Sequence, residues 1–160
     1  MSTRFGIKGS DAPAFLQHLG LPVPTHPNRV THWQAHDPWG SGRCLRQGNT
    51  EFLIELDTAG RTAPPADAAF PNAWTLIRSD HSLVLRGDNW PRDLAQICSF
   101  DFTRLIDEPD LVVMTMMAGI GVTLIREPSP ATSDFALRLW CDASFSTYLQ
   151  ECLNTLRGPR

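Results

Sequence analysis

Lysine is almost missing from this 160-residue sequence: Lys8 is the only one, and arginine carries nearly all of the positive charge. The net charge is −3 and the pI about 5.9. Without a basic field, nucleic acid is not an expected partner. Paired cysteines are missing too. Cys44, Cys98, Cys141 and Cys152 form no C-x-x-C, which leaves a zinc-ribbon or thioredoxin reading unsupported. Long hydrophobic runs are absent. The longest apolar stretch, Leu111 to Gly121, contains Thr115 and two glycines, well short of the ~18 apolar residues of a membrane span. Residues Met1 to Phe5 hold no continuous apolar segment, so no signal peptide is expected. These absences together point to a reducing cytoplasm and no membrane.

What is present is enough apolar residue, 42%, for one sizeable core. The stretch Leu83 to Phe102 reads as a strand, a turn at Arg86-Gly87 and a helix. Asp88 or Asn89 can cap that helix, Pro91 suits its first turn, and Trp90, Leu94 and Ile97 share one face. Phe5 to Leu19 reads the same way, and adding 78 to each number superimposes the two stretches without a gap. Gly9 then meets Gly87, Pro13 meets Pro91 and Leu16 meets Leu94. The expectation is one domain over 1–160 containing two pseudo-repeats, about 4–73 and 74–157.

In chain order, 4–8 is a strand and 12–19 a helix stopped by Gly20. Residues 29–36 read as a strand, and 43–47 with 51–56 as a hairpin turning at Gly48-Asn49-Thr50. A short helix is expected over 65–69. Residues 74–78 and 82–86 look like a strand pair, followed by a helix over 89–98. An extended piece at 101–105 leads to a charged turn at 107–110. Residues 111–118 lack alternation and read as a strand buried on both faces. Strands over 122–126 and 134–141 follow. Asp142 then caps a helix whose apolar stripe is Phe145, Tyr148, Leu149, Cys152, Leu153 and Leu156. The pattern predicts an α+β fold, a duplicated β-α-β-β-β-α unit forming one mixed β-sheet with packed helices.

No motif assigns an activity. His26, His32 and His36, with Asp37, are conceivable metal ligands, but three polar residues on a loop and an edge strand explain them as well, and no metal is expected. No G-x-S-x-G elbow occurs. Cys141 precedes a helix start, where a thiol pKa can fall, yet it ends a strand expected to be buried. Cys98 and Cys152, on apolar helix faces, read as small buried hydrophobes. Gly9 and Gly87 lack G-x-G-x-x-G spacing and read as turn formers. Asp101, flanked by Phe100 and Phe102, is the one candidate for a partly buried functional carboxylate, against a plain backbone-capping role. No catalytic residue is assigned.

Several stretches resemble the gamma subunit of heterotetrameric sarcosine oxidase and its relatives. They are Gly9-Ser10-Asp11-Ala12 with Phe15-Leu16, Leu21-Pro22-Val23-Pro24 leading to Asn28, and Gly48 to Ile54. In the second half they are Leu85-Arg86-Gly87 with Trp90 and Leu94, Cys98 to Asp101, Gly121 to Ile125, and the ending from Phe135 to Leu149. The resemblance implies a fold like the folate-binding domain of the glycine-cleavage T-protein. It implies an assembly subunit with no cofactor of its own. The larger flavoprotein subunits, of alpha and beta type, would hold flavin, NAD and tetrahydrofolate in a complex that oxidatively demethylates sarcosine or another N-methyl amine. The alternative is a stand-alone tetrahydrofolate-binding protein or aminomethyltransferase-like enzyme, with Asp101 as the cofactor-binding residue. Two departures stand out: the first strand begins almost at Met1, where the gamma chains carry a longer arm, and the three histidines match no family feature.

Overall fold

The computed structural model describes residues 2–36, 38–58, 60–87, 89–128 and 135–156, with nothing said of the side chains of Ala35 and His36. The chain divides into two compact units, Met1–Arg78 and Ser79–Arg160.

In the first unit, β1 (Thr3–Lys8) runs into α1 (Ala12–His18). Then come β2 (Arg29–His36), β3 (Gly40–Arg46), β4 (Glu51–Leu56) and β5 (Trp74–Ile77). They form an antiparallel sheet in the order β2-β3-β4-β1-β5. Alternation sorts the side chains. Phe5, Ile7, Cys44, Phe52, Ile54 and Leu56 turn to one core with Phe15 and Leu16 of α1. Trp33 on β2 lies opposite Gly42 on β3, where an added Cβ would stand 2.8 Å from the indole, so only glycine leaves room for the ring.

The second unit holds β6 (His81–Arg86), the short helices α2 (Trp90–Leu94) and α3 (Arg104–Asp107), β7 (Val112–Met117), β8 (Ile120–Arg126) and β9 (Ala136–Cys141). A single 3-10 turn, Ala143–Phe145, opens α4 (Ser146–Leu156). This sheet is also antiparallel, in the order β6-β9-β8-β7. Its core gathers Leu85, Leu124, Leu137 and Leu139 with Trp90 and Leu94 of α2, Leu105 of α3, and Leu149 and Leu153 of α4.

Several expectations are corrected. The strands form two antiparallel sheets rather than one mixed sheet. Residues 74–77 do not pair with β6. They pair with β1, Gly6 opposite Leu76 and Lys8 opposite Trp74. No helix forms over 65–69, where Pro64 and Pro65 remove two amide donors. In its place Phe70 stacks on Phe15, with centroids 5.4 Å apart. Residues 101–105 are not extended: Asp101 accepts from Thr103 in a turn that leads into α3 at Arg104. Finally, β7 is not buried on both faces along its length. It is one of the sheet's two edge strands, with Val112, Val113 and Met117 buried but Met114 and Met116 exposed.

Candidate functional site

A concavity sits at the outer edge of β6. A cleft of about 260 Å³ is lined by Leu83, Val84, Leu85 and Arg86, by Trp90, and by Gln150, Leu153 and Asn154 of α4. Local sequence builds it. Gly87, at φ +119°, turns the chain out of β6 in a conformation that suits glycine. Pro91 then fits the first turn of α2, where an amide would have had no helical partner. The turn swings Trp90 back onto the strand it has just left, and its Nε1–H donates to the Arg86 carbonyl at 2.7 Å. α4 closes the other side, its start fixed by Asp142, which accepts from Ser144 N at 2.8 Å and Ser144 Oγ at 2.6 Å.

Asp101 does not line that cleft, and of its two readings, a partly buried functional carboxylate or a plain backbone-bonding one, the structure shows the second. It is exposed, and its Oδ1 accepts from Thr103 N at 3.0 Å and Thr103 Oγ1 at 2.6 Å. Those bonds hold its carboxyl below the usual aspartate value, with Arg104 adding a smaller effect in the same direction. It is an ionised turn-former at the entrance to α3. Among the described residues no carboxylate lines the cleft, whose volume lies below the ~300–1,000 Å³ usual for small-molecule sites.

The other candidates are dispersed. His26 and His32 are exposed; the His36 side chain and Asp37 lie outside the described residues. Among the described residues no group of three or more His, Cys, Asp or Glu side chains is placed to hold a metal ion. Cys44, Cys98 and Cys141 are buried, and Cys152 is half-buried. Burial pushes the Cys141 thiol up, helped by the charges of Asp142 and Asp80, the reverse of an activated nucleophile. The Cys44 thiol is pushed up by burial as well.

What sequence reasoning missed is a buried ionic row in the first unit. Glu55 on β4 is fully buried, with Arg43 of β3 on one side and Arg4 of β1 on the other, 3.9 and 3.7 Å from its carboxylate oxygens. The register places all three directly opposite one another. Arg43 also reaches Asp57 at 2.9 Å. Opposite charges in consecutive strands at matching positions were the available signal. Such rows orient strands; they offer no open position for a substrate.

Large apolar side chains are left in solvent on both units. On β5 they are Trp74, Leu76 and Ile77, with Ile77 89% exposed. On the second unit they include Ile106, Met114, Met116, Phe145 and Tyr148. Among the described residues no helix is long and apolar enough to cross a membrane.

The class is therefore an α+β chain of two antiparallel sheets with few helices. No protein-family model matches the sequence, and no curated protein matches it. In structure the chain is similar to one chain of heterotetrameric sarcosine oxidase from Corynebacterium sp. U-96, solved in complex with pyrrole 2-carboxylate. The TM-score is 0.68 at 17% identity, over 99% of this chain and 83% of that one. The likeness expected from the sequence thus holds at the level of the fold.

Proposed function

We propose that this chain is a small, gamma-type assembly subunit of a flavin-dependent complex that oxidatively demethylates sarcosine or another N-methyl amine. The observation that carries the reading is the fold likeness, over 99% of the chain, to a chain of an enzyme that is itself a heterotetramer. The exposed apolar side chains of β5 and β7 are the kind of surface an assembly subunit presents to partners. In this reading larger alpha- and beta-type flavoprotein subunits hold the flavin, NAD and tetrahydrofolate, and the complex works in the cytoplasm. The two units are read as copies of one β-α-β-β-β-α unit within a single domain. Their strand orders support this: β2-β3-β4-β1 in the first parallels β7-β8-β9-β6 in the second. Gly9 and Gly87, 78 residues apart, also share nearly the same backbone angle, φ +116° and +119°. Among the described residues the first copy shows no final helix.

The test is purification of the tagged chain from its native host. Larger chains should co-elute stoichiometrically with flavin absorbance, and sarcosine should bleach that absorbance without oxygen. A chain that elutes alone, or with partners carrying no amine-reducible flavin, overturns the reading. A stand-alone folate protein would instead give a heat signal with tetrahydrofolate at high micromolar concentration.

A further inference from the structure

We propose that the open edge of β6 is a docking site for one extended segment of another protein chain. The segment would add to the sheet antiparallel and set a bulky apolar side chain into the cleft beside Trp90 and Leu153.

The argument begins with hydrogen-bond phase. The Gly87 N–H donates to the Phe135 carbonyl at 3.0 Å. In an antiparallel ladder main-chain groups alternate in direction, so Leu85 and Leu83 face β9 while Val84 and Ser82 face away from it. β6 ends the strand order of its sheet, and among the described residues no strand meets that outward edge. At the far end of that edge the Trp90 Nε1–H takes the Arg86 carbonyl.

The first unit shows what such an edge takes. There the Gly9 N–H donates to the Thr50 carbonyl at 2.9 Å, so Arg4, Gly6 and Lys8 face away from β4. Those residues are met by β5: Gly6 lies opposite Leu76, Lys8 opposite Trp74, and the Arg78 N–H donates to the Arg4 carbonyl at 3.4 Å. Adding 78 to Arg4 and Gly6 gives Ser82 and Val84. The same phase of the same strand is thus filled in one unit and open in the other. An exposed edge with no charge at its centre is a template for strand addition, and here the central residue is Val84.

The cleft decides between occupants. A second copy docked β6 to β6 about a two-fold axis would bring its own Trp90 and α4 to the same side of the joined sheet. Two clefts would then face each other and neither would be filled, which is a poor isologous contact. An extended segment carrying no helix on that side satisfies both features: its main chain bonds Ser82 and Val84, and an alternate side chain enters the apolar cleft. The inference goes beyond the assembly reading and does not depend on any flavin chemistry, so the two fail separately.

The test uses the full chain and a fluorescent, acetylated peptide with the sequence of residues 72–79, the segment that fills the equivalent edge. Anisotropy should rise saturably, and exchange of the Val84 amide should slow. Val84→Pro removes an N–H that faces away from the ladder, a place where an edge strand tolerates proline. It should keep the native circular dichroism yet bind the peptide at least about tenfold more weakly. Asn154→Trp, at an exposed position on the rim, should weaken binding similarly by filling the cleft; it carries the test if the proline variant fails to fold. No binding up to millimolar peptide, or binding indifferent to both variants, overturns the proposal. So does a dimer of the unmodified chain that Val84→Pro dissolves, since a second copy would then be the occupant.

Discussion

Glu55 and Arg43 face each other across the β3–β4 ladder, both buried, with Arg43 Nε 3.9 Å from the carboxylate. Removing Glu55 takes a buried counter-charge from both Arg43 and Arg4, although Asp57 stays 2.9 Å from Arg43. Glu55→Leu should therefore cost about 3–5 kcal/mol in urea unfolding. The double change Glu55→Leu with Arg43→Met should recover part of that loss. A double variant no better than the single one would mean that the row does not act as a unit.

Gly9 and Gly87 share a positive φ but not their surroundings. A Cβ at Gly9 would overlap the Asn72 carbonyl oxygen and stand 2.7 Å from the Trp74 ring, whereas at Gly87 its nearest neighbour is Trp90 at 4.0 Å. Both alanine variants suffer the backbone strain, on the order of 1–3 kcal/mol. Gly9→Ala should lose clearly more, because β5 must move off β1. Thermal melts of the two proteins should rank Gly9→Ala lower.

Asp101 and Asp142 are both held below their usual pKa by bonds from Thr103 and Ser144 respectively. A depressed folded pKa gives stability that is present above the unfolded value of about 3.9 and is lost as pH falls through the folded value. The unmodified protein should therefore lose stability more steeply below about pH 4 than the Asp101→Asn, Asp142→Asn variant. Parallel acid unfolding curves would contradict this.

Of the four cysteines only Cys152 is not fully buried. Ellman's reagent at pH 8 should modify that one thiol quickly in the native protein and all of them after denaturation. Rapid labelling of Cys141 would contradict its burial and raised pKa.

Ile77 stands 89% exposed on the sheet's outer strand. Ile77→Thr keeps a β-branched residue there and should change stability by no more than about 0.5 kcal/mol. If β5 contacts a partner, the same variant should reduce co-elution of the larger chains. An unchanged complex would remove β5 from the interface.

Local signals were legible wherever a residue's role depends on near neighbours. Gly9 and Gly87 with their following prolines, the hairpin at 48–50, and Asp142 ahead of the last helix all stand where the pattern placed them. Asp101 was visible as a carboxylate at a boundary. Whether it was buried depended on how the chain runs beyond α2. That path turned it outward onto Thr103. The helix expected at 65–69 did not form where Pro64 and Pro65 remove amide donors, and Phe70, just beyond it, packs against Phe15 of α1.

Sequence by itself determined the α+β class, the strand-turn-helix unit met twice, and the absence of any recognisable catalytic motif, because periodicity, glycine and proline act within a few residues. Only the tertiary structure decided that β5 leaves its neighbour β6 and pairs with β1, which makes two antiparallel sheets rather than one mixed sheet. Strand pairing is a competition among edges distant in sequence. Its outcome follows from which apolar faces can be buried together, and that is written in no single stretch of the chain.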